Sequence, residues 1–553
     1  MFKKKGTLLL TLSLVLSSLY ACGNAETSDS GISTGSTSAP QSAASGTDVS
    51  GESPAEASED KNAANSDEDS SFSDGDIVTI EYYGVNLSGK NDITDIAEAV
   101  NAISEKEIGV HVNFNLLDFG SFLQQVSLKM AGNERIDLMN FVPAPPATFS
   151  SMTSQNQLMD ITGLLEEYAP DALEATGDFI RGTTVGGQIY AVPTISGFST
   201  QVYVIMRKDV LEALGLVEKA ENLSSWSEYE EILAAVYEAN QNKTLPEELL
   251  TPSCLSNADM AGRVYPLQGI RVGSDLWAQN FGVDNLGDTY GIISVDESTD
   301  TVQLYYESED YLNTLKRVQG WYEKGYIYKD AAFTEDSGDT LMANGVTFSF
   351  IASGQVGIDA TRRSVTGYDV VASQVLSIPM GSSVSQTWGL AIPTTAKEPE
   401  AAAKFINLLY SNAEVMNLLT WGIEGRDYTV NEEGEAVIAE NPVYTSNMYL
   451  WGNGRLTYPT AGLGGDYMER LKKADEEAPV SKYLGFAADT SQLSNELTAI
   501  NNVINQYRAN LESGAVTDLE GEYEKYCQAM EDAGVQKVID AYQEQLDEWL
   551  AQQ

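Results

Sequence analysis

Between Ile77 and Pro143 the chain alternates strand and helix signals, and that order restricts its fold more than any other feature. Ile77-Val78-Thr79-Ile80-Glu81-Tyr82-Tyr83 is a β-branched and aromatic run that reads as a strand. Ile93, Ile96, Val100 and Ile103 then recur at helical spacing across about Asp92–Glu107. Gly109–Phe114 alternates as a second strand, Phe122–Ala131 reads as a helix, and Ile136–Phe141 as a third strand ending at Pro143. Strands joined by intervening helices lie parallel, because a parallel pair needs a long crossover rather than a tight turn. Ligands of such open sheets bind beyond the carboxyl ends of the strands. That rule puts Tyr83, Gly84, Asn86, Phe141 and Val142 near a cleft.

Gly186-Gly187 suits a hairpin turn, and Pro193 interrupts the strand that follows, so the chain is expected to cross between lobes near here. Val202–Met206, Val346–Ile351, Tyr368–Val371 and Trp388–Pro393 read as further strands. Lys208–Leu214, Ser227–Glu238, Tyr311–Lys324 and Glu398–Tyr410 read as helices, the last opening with Pro399 in its first turn. Ser491–Tyr507 and Glu520–Leu550 are helical and acidic. The pattern implies an α/β protein of two lobes joined by several crossings, with a ligand site in the cleft between them.

The amino end carries Lys3-Lys4-Lys5 and then an apolar run from about Leu8 to Ala21. A basic start, a short greasy segment and small residues before a cut describe a secretory signal, too short to span a bilayer. Leu19-Tyr20-Ala21-Cys22 resembles the lipobox of bacterial lipoproteins, which implies lipidation of Cys22 as the first mature residue. Gly23 to about Asp74 has almost no large apolar side chain and reads as a flexible acidic tether with a mean reach of roughly 40 Å. The formal charge of −49 argues against nucleic acid as a partner, since phosphates need clustered Lys and Arg. Three cysteines, Cys22, Cys254 and Cys527, are too few for a disulfide framework.

Trp321-Tyr322-Glu323-Lys324-Gly325-Tyr326-Ile327, Pro399–Tyr410 and Trp421-Gly422-Ile423-Glu424-Gly425-Arg426-Asp427-Tyr428 follow one another in an order that is familiar. The chain resembles the family 1 extracellular solute-binding lipoproteins of ABC transporters. The carboxyl end, from Gly485-Phe486 to the Gly534–Trp549 helix, is similar to an uncharacterised domain found in one branch. The resemblance implies a type II, periplasmic-binding-protein-like fold with a hinge, an interlobe cleft and a helical carboxyl-terminal extension. Residues 1–21 are then signal and 22–75 tether. The first lobe is 76–194 plus 388–425, and the second 195–387 plus 426–553. It also implies a receptor on the extracellular face of the cell membrane that hands a carbohydrate to permease subunits, with no cofactor and no metal.

A sugar stacks its C–H faces on aromatic rings and pairs its hydroxyls with carboxylates, amides and guanidinium groups. The aromatic candidates are Tyr83, Trp277, Trp388, Trp421 and Trp451, and the polar ones Asn86, Asn140, Asp275, Glu424 and Arg426. Trp388 and Tyr83 suit either a cleft wall or the core; Trp226, Trp321 and Trp549 suit packing, and Asp137 suits a structural acid at a strand end. His111 is the only histidine and lies in an alternating strand, a poor place for a catalytic base. Asp284-Asn285-Leu286-Gly287-Asp288 does not have calcium-loop spacing. A receptor for peptides or other organic solutes, and a surface glycoside hydrolase, are the competing readings.

Overall fold

The computed structural model describes residues 77–90, 92–250, 262–268, 283–288, 290–334 and 336–553. In the first lobe, β1 (Val78–Val85) lies between β2 (Val110–Leu117) and β3 (Leu138–Phe141), parallel to both. β9 (Gly389–Ala391) returns antiparallel to β3, and β4 (Val192–Pro193) pairs with its other side, giving the order β2-β1-β3-β9-β4. The crossovers are α1 (Thr94–Ile108) and α2 (Phe119–Ala131), as the periodicity implies. The Asp118 side chain accepts the Ser121 N–H and starts α2 three residues earlier than the apolar spacing indicates. Asp137 is fully buried and accepts from the backbone N–H of Glu81, Lys397 and Glu398, the structural role expected of it.

β2 is the outermost strand of this sheet. The Asn101 amide accepts the Val112 N–H at 2.8 Å and donates to the Val112 carbonyl at 3.1 Å. Ser104 Oγ donates to the Val110 carbonyl. At Val110 and Val112, side chains of α1 thus occupy the positions that another strand would take.

In the second lobe, β5 (Thr200–Arg207) runs antiparallel to both β7 (Thr347–Gly354) and β8 (Val370–Ile378). β6 (Tyr265–Leu267) lies parallel to β7, in the order β8-β5-β7-β6. A parallel bridge from Leu267 to Ile327 extends that edge by one short segment. α3 (Trp226–Asn242) and α4 (Glu309–Glu323) cover one face, where Trp226, Tyr229 and Trp321 pack ring on ring at 5.7–6.3 Å. Tyr229 and Trp321 are core residues, as the helical spacing of Trp321 implies, and the half-buried Trp226 packs against them. α5 (Ile358–Thr366) packs beside β8, and Ile358 joins Tyr203, Ile205 and Phe350 in a smaller cluster.

The carboxyl-terminal helices are α9 (Ser494–Ser513), α10 (Leu519–Asp532) and α11 (Val535–Leu550). The single run expected over Glu520–Leu550 is broken at Gly534, which takes φ +87°, a conformation that suits glycine. These helices bury Leu497, Ile500, Tyr526 and Leu546 in the same core as Tyr229 and Trp321, so they belong to the second lobe. Inside that contact Arg508, only 5% exposed, donates to Glu512 Oε1 at 2.7 Å and to the Tyr290 carbonyl at 2.7 Å. Tyr311 donates to the same Glu512 oxygen at 3.1 Å. Cys527 on α10 is a free thiol, and Cys254 lies outside the described residues, as does Cys22.

The expected lobe limits need one correction. α6 (Pro399–Ser411) and α7 (Ala413–Trp421) join the first lobe as foreseen, but the chain does not leave it at 425. Tyr444, Tyr449, Leu450 and Trp451 are buried in the first core. A hairpin of Tyr428–Val430 with Ala436–Ile438 packs on Trp421, and the crossing to the second lobe comes only after it.

Candidate functional site

The carboxyl ends of β1, β2, β3 and β4 and the amino end of β9 share one edge of the first sheet. A segment from Tyr444 to Asn453 is laid across that edge and tied to it at four points. Asn86 Nδ2 and Ser88 Oγ donate to the Thr445 carbonyl at 3.3 and 2.7 Å. Asn140 Nδ2 donates to the Leu450 carbonyl at 2.8 Å, and Thr194 Oγ1 to the Tyr449 carbonyl at 2.7 Å. The Ile195 N–H donates to the Gly452 carbonyl at 2.8 Å. Asp427, with no exposed surface, holds the start of this strap by accepting the Val443, Tyr444 and Ile423 N–H groups. Burial alone raises its carboxyl pKa, but Arg426 and those N–H groups outweigh it and hold it below the ordinary value. Gly422, at φ +89°, lets the turn close on this acid, because a Cβ there would stand 2.5 Å from Asp427 Oδ2.

The strap and the sheet edge together carry an aromatic cluster. Trp388, immediately before β9, packs against Tyr449 at 5.4 Å and against the half-buried Phe119 at 6.4 Å. Trp388 and Tyr449 retain 8% and 9% exposure, enough to offer a ring edge but not a whole face. Burial pushes the Tyr449 hydroxyl up to about 12, so it stays protonated and able to donate at neutral pH.

The second sheet turns a matching edge toward this one. It consists of the ends of β7 and β8 and the start of β5. The lobes are joined by three crossings, about 194–199, 379–388 and 454–481. α8 (Tyr467–Glu477) braces them: Asp475 accepts the Phe198 and Ser199 N–H groups at 2.9 and 2.6 Å and pairs with Arg455. Gln355 Nε2 donates to the Gly197 carbonyl at 2.9 Å. Gly197 has φ +95°, and a Cβ on it would meet Leu471 at 2.5 Å. The second and third crossings pair through Met380 N–H to Pro479 O, 2.8 Å, and Ser481 N–H to Met380 O, 3.0 Å.

The structure distributes the sequence candidates unevenly. Trp388 alone stands at the facing edge with other rings around it. Asn86 and Asn140 are correctly placed at strand ends, yet each is 1% exposed and its amide is spent on holding the strap. Asn140 Oδ1 also accepts from Tyr82 and from the Val85 N–H, which leaves it nothing for a ligand. Trp451 belongs to the strap itself and is 1% exposed, its ring against Tyr82 at 5.9 Å and Phe114 at 6.4 Å. Tyr83 points to the α2 face, where Lys129 sits 5.0 Å above its ring at the opposite end of that helix from Phe119. Trp421, Glu424 and Arg426 share one turn. Trp421 donates to the Tyr458 carbonyl at 3.1 Å and packs on the hairpin; Arg426 is engaged by Asp427 and Asp95, and Glu424 is exposed. Asp275 and Trp277 lie outside the described residues. Phe119 and Tyr449 carry no mark in the sequence. Phe119 is hidden by a helix start placed too late, and Tyr449 lies in a long stretch without periodicity.

His111 sits on β2 with Nδ1 2.6 Å from Glu105 Oε1. It borders a groove of about 520 Å³ between α1 and β2, on the first lobe alone and not in the cleft.

The family model described as bacterial extracellular solute-binding protein matches residues 90–416, more than half of the chain. The chain belongs to the bacterial extracellular solute-binding proteins. A second model, a domain of unknown function (DUF3502), matches residues 482–551 of this solute-binding protein, the stretch that forms α9–α11. A curated relative, a carbohydrate ABC transporter substrate-binding protein of Streptococcus pneumoniae, is 23% identical over 86% of this chain and 92% of its own. Among solved structures, the N-glycan transport solute binding protein of the same organism superposes with a TM-score of 0.67 at 21% identity, over 86% of this chain and 99% of that one. It has also been solved with Man1GlcNAc and with Man5GlcNAc. An extracellular solute-binding protein of Bifidobacterium longum subsp. infantis gives 0.60 at 17% identity, over 86% and 99%. These likenesses fix the fold of the solute-binding protein as the two-lobed one.

Proposed function

We propose that this solute-binding protein is a non-enzymatic, lipid-anchored receptor that captures an oligosaccharide in the interlobe cleft and delivers it to the permease of an ABC importer. The observation that carries the reading is the ring cluster of Trp388, Phe119 and Tyr449 at the edge facing the second lobe. Aromatic edges and faces suit the C–H surfaces of a sugar, and the Tyr449 hydroxyl adds a donor beside them. The carbohydrate relative and the glycan-bound structures support the ligand class. Closure about the braced crossings brings the second edge onto the guest, and the closed arrangement is the one the permease reads.

Calorimetry against a panel of oligosaccharides should give one-to-one binding without turnover. Trp388→Ala is expected to weaken it about 10- to 100-fold, the value of one lost ring contact. Released product, or silence across the panel, would overturn the reading. The anchor rests on Leu19-Tyr20-Ala21-Cys22 and the acidic tether to residue 75. Cys22→Ser should move the protein from the membrane fraction to the medium; retention in the membrane fraction would refute it.

A further inference from the structure

We infer that Ser199 and Arg455 are positioning residues for ligand capture: each holds a buried donor without a partner at the hinge angle seen here and gains one when the lobes close. The hinge then supplies part of the driving force for closure. This role rests on the receptor reading above. The Ser199 side chain has no exposed surface, yet its Oγ bonds to nothing among the described residues. The buried Arg455 Nε is likewise without a partner among them. Both flank one acid. Asp475, 6% exposed, accepts the Ser199 N–H on Oδ1 and meets Arg455 on Oδ2 through Nη2, not through Nε. Buried donors without acceptors are rare, because each loses the hydrogen bonds that water gave it. Two of them beside one carboxylate mark an arrangement that is not the best these groups can reach.

The three residues are carried by different parts. Arg455 goes with the first lobe: the Asn453 N–H donates to the Leu409 carbonyl of α6 at 3.0 Å, the Gly454 N–H donates to the Ile195 carbonyl at 2.7 Å, and Leu456 packs on the first core. Asp475 goes with α8, whose Tyr467 ring lies against Gly357, just before α5 of the second lobe; a Cβ on Gly357 would stand 3.1 Å from that ring. Ser199 is in the first crossing, between Gly197, at φ +95°, and the start of β5. A change of lobe angle therefore slides Asp475 past Arg455 and turns the chain at Ser199. A guanidinium that meets a carboxylate without its Nε has a side-on arrangement within reach, in which Nε and Nη2 both donate. Asp475 accepts from Phe198, Ser199 and Arg455, and a carboxylate has room for about four hydrogen bonds. Closure on a guest adds the partners gained at Ser199 and Arg455 to the contacts the guest makes itself.

Calorimetry of wild type, Ser199→Ala and Arg455→Lys with Man1GlcNAc, Man5GlcNAc and the tightest binder of the panel above tests this, beside thermal melting of each protein without ligand. Ser199→Ala removes an unpaired hydroxyl. It is expected to melt no lower than wild type and yet to bind about 5- to 50-fold more weakly, the value of one polar group satisfied in the closed arrangement alone. Arg455→Lys keeps a cation beside Asp475 but has no Nε donor, and should weaken binding in the same direction. Unchanged affinity in either variant overturns the inference and leaves the receptor reading intact. Weaker binding by Ser199→Ala together with a lower melting temperature overturns it too, because the hydroxyl is then already bonded in the free protein. A wild type that binds no glycan of the panel overturns the receptor reading and this inference with it.

Discussion

Replacing Arg508 with leucine should cost about 3–5 kcal/mol of stability, the penalty for stranding a buried carboxylate. Glu512 has no exposed surface, and its Oε2 atom has no hydrogen-bond partner among the described residues. Burial raises the Glu512 pKa, and the Arg508 guanidinium works against that rise. Arg508→Leu would leave the acid only the Tyr311 hydroxyl, in a core that also contains Tyr526 and Ile500. Urea unfolding followed by tryptophan fluorescence would measure the effect. The triple change Arg508→Leu, Glu512→Leu and Tyr311→Phe should return most of the loss, since an apolar replacement of a buried pair is often neutral. A single-variant loss below about 1 kcal/mol would show that water reaches the pair and that the helices are less firmly seated than their packing implies.

Asp427→Ala is expected to cost about 2–3 kcal/mol, because it leaves the buried Tyr444 N–H and the partly buried Val443 and Ile423 N–H groups without their acceptor. The same change should loosen the strap that carries Tyr449 and weaken ligand binding, although Asp427 is buried beneath the surface. The acid dependence has a definite sign. A carboxyl whose folded pKa lies below its unfolded value of about 3.8 stabilises the protein above that pH. The contribution fades as pH falls through the lower, folded value. The stability gap between wild type and Asp427→Ala should therefore be constant from pH 5 to 8 and shrink below about pH 3.8. A gap that persists undiminished to pH 2 would assign the effect to something other than this ionised carboxylate.

Periodicity exposed the architecture well where secondary structure is regular. β1, α1, β2, α2 and β3 lie where alternation and helical spacing put them, because each of these elements buries one face against its neighbours. The site was harder to read for a physical reason. Strand-end asparagines look like ligand contacts, and Asn86 and Asn140 do stand at the right edge, but their amides bind carbonyls some 300 residues away in sequence. Nothing local signals that a distant irregular segment will be laid over them. Tryptophans misled in the same way: Trp451 looks like a loop aromatic until Tyr82 and Phe114 are folded beneath it.

The Asn101 side chain, doubling as a piece of backbone beside Val112, bears on how such molecules live in a crowd. Copies fixed to a common surface, as proposed here, collide far more often than the same number free in solution. A bare sheet margin on each would invite chain-to-chain zippering and, in time, fibres. With the start of that margin already capped from within by Asn101 and Ser104, neighbours crowded shoulder to shoulder find less of an edge to pair with and part more readily after each encounter.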